Sequence, residues 1–271
     1  MMYWIYDYPN WAIMALFVAV FLGVTWVGVF VTRATVHSWI HTETRANEIV
    51  NSALSSFFVL FGLLLGLVAV ATYQNFSNVG DTVDKEASSI ASLYRDFAAY
   101  PQPIRDRLRD SLREYKRSTI EDDWPLQRQD IVPAGGSERI AALAEILLVF
   151  EPSKRGEEII HAETLREFNR LHELHRERLA NVSLGLPSAL WWVVAWSALL
   201  NIVLIWLQDM EIHVHLILGG VLASVLALVI FLIAALDNPF RGEVSIGSDS
   251  IARVYETLMN PGVTTKQPEP K

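Results

Sequence analysis

Cysteine is missing from all 271 residues. That absence excludes disulfides, thiolate nucleophiles, iron–sulfur clusters and cysteine-ligated zinc. Charge is scarce as well: 19% of the residues are Asp, Glu, Lys or Arg, while 52% are hydrophobic. Ordinary soluble domains carry about a quarter charged residues. Basic residues are the rarer sign, 22 against 30 acidic, for a formal net charge of −8. A nucleic-acid binder presents a basic face, so nucleic acid is not expected as a partner. A nucleophile elbow, a phosphate-binding loop and an HExxH pair are all absent. The chain is therefore expected not to be an enzyme, and to use no catalytic residues, cofactor or metal. The N-terminal MMYWIYDYPNW has no basic n-region, and no small-residue cleavage site follows the first apolar block. That block is expected to be a retained membrane helix.

What the sequence has in quantity is long apolar runs. Residues 11–32, 53–72, 187–207 and 212–236 contain no Asp, Glu, Lys or Arg. About 20 apolar residues at about 1.5 Å each cross a bilayer core, so each run is a candidate span. Tyr3, Trp4, Tyr6 and Tyr8 precede the first run and Trp11 opens it, and Trp191 and Trp192 lie at the start of the third. Such rings suit the headgroup boundary. The fold class expected is all-α: a polytopic membrane protein with four transmembrane helices and a helical cytosolic segment between the second and third. Its domains read as 1–76, 77–186, 187–236 and 237–271, and its first partner is the lipid bilayer.

Four spans put the N-terminus, the middle segment and the C-terminal tail on one side. Lys85, Arg95, Arg170, Arg176, Arg178 and Arg241 flank span ends there, while the tight turn 208–211 has no basic residue. The positive-inside bias then makes that side cytoplasmic, against the opposing votes of Arg33 and Arg45, and the location the inner (plasma) membrane. Within the middle segment Ile90, Leu93, Tyr94 and Phe97 follow helical spacing. A helix is expected over 103–122 with Leu108, Leu112 and Tyr115 on one stripe, ended by Pro125. VPAGG (132–136) reads as a loop, Ser137 as the N-cap of a helix over 138–150, and 154–183 as the last helix. The polar tail 264–271 reads as frayed.

The second run divides by size and polarity. On a helix, Asn51, Ser55, Gly62, Gly66, Ala69 and Tyr73 share one side, with Phe58 and Phe76 at its margin. Phe57, Leu60, Phe61, Leu64, Leu67 and Val68 fall opposite, toward lipid. A small and polar stripe on a spanning helix meets another helix, a cavity or a pore. Gly62 and Gly66 allow close helix packing inside one subunit. They also allow a bundle about a symmetry axis, with Asn51 and Ser55 wetted and Phe58 or Phe76 as an apolar constriction. The spans hold no ionisable group besides His213 and His215 at the mouth of the fourth, which disfavours an ion-coupled transporter.

Histidines give the remaining motifs. Glu158 and His161 have the Glu-x-x-His spacing of carboxylate di-metal bundles, but in a single copy where two are needed. His172 and His175 read as surface residues. His37 and His41 lie one turn apart and are a weak external metal pair. His213 and His215 read as interface anchors.

Several segments together resemble the bestrophin-like domain family of mostly bacterial membrane proteins. They are the second span with its approach (41–75), VDKEASSIASLYR (83–95), IEDDWP (120–125), RERLANVSLGLPSALW (176–191) and LDNPFRGEVSIGSDSI (236–251). The family is similar, more distantly, to bestrophins, which are pentameric anion channels lined by the second span. The resemblance implies a homo-oligomeric, five-subunit channel passing a small permeant anion. Asn51, Ser55, Phe58, Gly62, Gly66, Ala69, Tyr73 and Phe76 become its pore-lining candidates, and Asp237, Asn238, Pro239 and Phe240 its motif after the last span. The Arg-Trp-Trp run of bestrophins is absent, and one carboxylate, Asp237, precedes Asn-Pro-Phe, so no calcium site is carried over. The competing expectation is a membrane-anchored interaction or sensory protein without a pore.

Overall fold

The computed structural model describes residues 3–42 and 46–259, without the side chains of Tyr3, Trp4, 39–42, Ala46 and Tyr255. Every regular element among them is helical: α1 (Asn10–Thr42), α2 (Ala46–Asp96), α3 (Ile104–Ser118), α4 (Trp124–Gln127), α5 (Gly135–Val149), α6 (Arg155–Ala180), α7 (Ser188–Trp206), α8 (Ile212–Leu236) and α9 (Asp249–Val254), with short 3₁₀ and π turns. Four of these are long and apolar enough to cross a membrane. The tail 264–271 and Arg45 lie outside the described residues, as does the His41 side chain.

The chain forms two compact units. The first comprises Met1–Phe76, Gly185–Asn238 and Gly242–Val244. Its core gathers Phe61, Leu65 and Val68 of α2 with Val194 and Ala198 of α7 and Leu226, Ile230 and Ile233 of α8. Phe61 and Val68, expected toward lipid, are therefore buried, while Leu60 and Leu67 from the same group are exposed. Lipid tails are as apolar as a neighbouring helix, so apolarity alone cannot tell the two surroundings apart. Polar atoms tie the helices where apolar contact cannot give register. Trp206 Nε1 donates to the Thr25 carbonyl at 3.1 Å and Tyr6 OH to the Ala234 carbonyl at 2.9 Å. A Cβ on Gly28 would sit 1.9 Å from the Trp206 ring, so only glycine lets that indole cross α1.

The second unit comprises Ser77–Leu184, Pro239–Arg241 and Ser245–Lys271. Its core is built from Val79, Val83, Ile90 and Leu93 of α2, Leu108, Leu112 and Tyr115 of α3, Ile140, Leu143 and Leu147 of α5, and Phe168 and Leu171 of α6. Three boundaries differ from expectation. The second span and Ile90, Leu93 and Tyr94 of the middle segment share one helix, α2, of 51 residues, and Phe97 opens the 3₁₀ turn that follows it. Pro125 does not end a helix: the chain passes from α3 through a π turn, Thr119–Asp123, into α4, where proline occupies the first turn. The helical backbone is unbroken there, Trp124 N–H reaching back to the Thr119 carbonyl, so Pro125 omits one bond of a ladder that continues past it. Ser137 is no N-cap; α5 begins at Gly135, inside the expected loop, with Ala134 at the cap position.

Candidate functional site

The pore-lining candidates all lie on α2, and most are uncovered by their own chain. A Cβ on Gly62 or Gly66 would meet no atom within 4 Å, so neither glycine serves close packing inside the described protomer. Ser55 and Tyr73 are exposed and Phe58, Ala69 and Phe76 half-buried. Asn51 is exposed too, but its Oδ1 accepts from Gln208 Nε2 at 2.8 Å, which pins it to the turn between α7 and α8. Asn47 secures the same turn, donating to the Asp209 carbonyl and accepting from the Asp209 amide. Ser55 Oγ donates to the Asn51 carbonyl, so its hydroxyl hydrogen is spent on its own helix. Beside the stripe Leu63, Leu67 and Val70 are more than half exposed.

The motif after the last span has a structural account. Asp237 accepts from the Leu186 amide at 2.6 Å and from Trp191 Nε1 at 3.1 Å, closing the end of α8 against the start of α7. Phe240 is fully buried and meets the Trp124 ring edge-on at 5.8 Å. The Pro239 carbonyl accepts from Ile246.

Sequence reasoning missed a buried polar centre in the second unit. Glu86 of α2 receives Arg178 Nε at 2.6 Å and Nη2 at 3.2 Å, and Tyr115 OH at 2.5 Å. Glu86, Tyr115 and Arg178 are all completely buried. His175, expected at the surface, is also fully buried; its Nδ1 lies 3.1 Å from Tyr115 OH and its Nε2 3.1 Å from Ser137 Oγ. It lies inside because Phe168, Leu171, Leu174, His175 and Arg178 form one continuous face of α6, whereas His172 falls on the outer face. The Trp124 ring covers the Arg178 guanidinium at 5.2 Å.

Burial pushes the Glu86 carboxyl up, but the Arg178 charge and the bonds from His175, Arg178 and Tyr115 outweigh it and hold it at about 2. Burial first, then the Glu86 carboxylate, pushes the Tyr115 phenol well above its ordinary range. A carboxyl held below its unfolded value contributes stability that is present above that value and lost as the pH falls through the folded one. Acidification from pH 4.5 toward 2 is thus expected to remove roughly 3 kcal/mol through Glu86. Asp123, pushed up by burial, contributes with the opposite sign, its stabilisation being lost as the pH rises. Chemical denaturation between pH 7 and 2 measures the balance; stability that rises on acidification would remove Glu86 from the dominant role.

His161, His37 and His215 also have partners within the protein. His161, whose pKa burial lowers, bonds Tyr100 OH at 2.8 Å, and Glu158 points to solvent. His37 Nδ1 is 3.2 Å from Asp209. His215 is no surface anchor: it is buried, with Nε2 2.9 Å from the Ile205 carbonyl, and His213 is exposed. Among the described residues no group of three or more metal-ligating side chains forms.

The sequence model of the Bestrophin-like domain matches residues 15–251. The chain belongs to that family. No curated protein sequence matches this bestrophin-like chain. Its fold is similar to the crystal structure of a bacterial Bestrophin homologue from Klebsiella pneumoniae, with a TM-score of 0.68, 10% identity, and coverage of 91% of this chain and 97% of that one. A single-substitution variant of the Klebsiella homologue matches with a TM-score of 0.66 at 13% identity, over 90% and 98% of the two chains. At such identity the likeness establishes the bestrophin-like fold.

Proposed function

We propose that copies of this bestrophin-like chain assemble around a shared axis, with the α2 stripe turned inward, into a channel that passes small anions down their gradient. The observation that carries the reading is the open ground beside Gly62 and Gly66. A stripe of small residues on a spanning helix ordinarily has a partner or a pore, and the described residues of the protomer supply no partner at Gly62 or Gly66. Family membership adds the implied five-fold arrangement. Phe58 and Phe76 are then the side chains that narrow the passage, gating by dewetting. Residues 77–186 and the tail 237–271 face the cytoplasm in this reading, as does the N-terminus, and the membrane is the inner one. The basic residues near those span ends support that orientation.

Purified protein reconstituted in planar bilayers should show discrete anion current, and Phe58→Ala should raise the unitary conductance several-fold. Crosslinking in native membranes should give a five-step ladder. Silent bilayers with assembled protein, or a ladder that stops at one or two steps, would overturn the channel in favour of an anchored interaction protein.

A further inference from the structure

Around the π turn of the second unit, buried polar atoms go without partners in an unusual concentration. Ser118 Oγ, Thr119 Oγ1, Asp123 Oδ2, Trp124 Nε1, both amide atoms of Gln127, and Arg178 Nη1 have no hydrogen-bond partner within the described protein. With ordered water counted as a partner, native proteins leave only a few such atoms per hundred residues. Here six of them fall within ten consecutive residues, and the seventh belongs to the guanidinium lying over Trp124. All six residues are at most 3% exposed. They include both donors, at Trp124 and Arg178, and acceptors, at Asp123 and Gln127, with two hydroxyls able to do either.

Position and charge narrow what satisfies them. The Asp123 carboxylate lies against the first turn of α5, with Oδ2 2.5 Å from where a Gly136 Cβ would stand and Oδ1 3.4 Å from where a Gly135 Cβ would stand. Arg139 Nη1 and Ser118 Oγ converge on the Gly135 point at 3.3 and 3.6 Å. Two carboxylates, Glu86 and Asp123, face two guanidiniums, Arg178 and Arg139, the latter also 3.5 Å from Glu114. A bound cation would meet the arginines and a bound anion the carboxylates, so the charges select a neutral ligand. A ligand that both donates and accepts, and is small enough for a protein interior, is water. π turns interrupt the regular helical ladder and recur where a helix does more than span distance.

We infer that Ser118, Thr119, Asp123, Trp124, Gln127 and Arg178 hold a cluster of internal waters, which joins the Glu86–Arg178 pair to the first turn of α5. Each internal water makes about three hydrogen bonds, so seven free atoms call for roughly two or three molecules. The site is independent of the channel reading, because it lies wholly within the second unit.

The test turns on the sign of a stability change. Gln127→Met and Thr119→Val keep side-chain volume close to the original and delete polar atoms. If water satisfies those atoms, each variant of the full-length protein loses hydrogen bonds, and its apparent Tm falls by roughly 3–8 °C. If the atoms are dry, deleting them relieves an uncompensated burial cost and Tm rises. A high-resolution map of the parent should also show discrete density within hydrogen-bonding reach of Asp123 Oδ2 and Arg178 Nη1. A rise in Tm in both variants, an empty map at that point, or density from a coordinated ion would each overturn the inference.

Discussion

Methionine in place of Arg178 is expected to destabilise the protein by roughly 3–5 kcal/mol, the cost of leaving a buried carboxylate without its counter-charge. Glu86 has no route to solvent: it is wholly buried and takes two of its bonds from Arg178. Methionine fills much of the same space, so the loss reports the missing charge more than a missing volume. The double variant with Glu86→Gln should recover most of the stability, since Gln at position 86 retains an acceptor for Tyr115 OH and brings no charge. Chemical denaturation followed by tryptophan fluorescence reads both, with Trp124 stacked on the altered side chain. A single variant as stable as the parent would show that Glu86 does not need the Arg178 charge, whereas a double variant as stable as the parent would show that the pair contributes nothing net, an outcome known for some buried ion pairs.

Leucine at Gly62 should separate folding from conduction. Among the described residues nothing beyond the backbone of α2 itself lies within 4 Å of a Cβ at that position, so the protomer should keep its helix content and its stability to within about 0.5 kcal/mol. If the proposed channel holds, anion current in reconstituted bilayers should be abolished, because the new side chain would stand in the proposed passage or against the neighbouring subunit. Leu65→Ala supplies the contrast. Leu65 is buried in the core of the first unit, and its truncation should cost about 2–5 kcal/mol. Unchanged current from Gly62→Leu in a correctly assembled protein would move the stripe away from the permeation path.

The membrane architecture was legible because charge-free runs of this length have few other uses: the boundaries expected for the last two spans, 187–207 and 212–236, agree with α7 and α8 to within a residue. The buried centre was legible in principle. Glu86 stands on the stripe Val79, Val83, Ile90, Leu93, and Arg178 on the stripe Phe168, Leu171, Leu174, both at helical spacing. A charged residue in the middle of an apolar stripe signals a buried pair. Its partner could not be named, because the contact joins positions 92 residues apart. Phe61 and Val68 defeated the reading for a different reason, since a core and a bilayer ask for the same side chains. The π turn was illegible as well: Pro125 reads as a terminator unless the turn before it is seen to carry the helix past it.

The crowding at Gly136 constrains how this sequence drifts. A methyl group there would overlap both the Asp123 carboxylate and the His175 ring, at 2.5 and 2.7 Å. Neither can retreat easily, being enclosed on other sides. Relatives that retain an aspartate and a histidine at those two places should therefore be locked to glycine at the third. Relatives that have exchanged the glycine should have shortened or replaced one of its two neighbours, so the three positions change as a set.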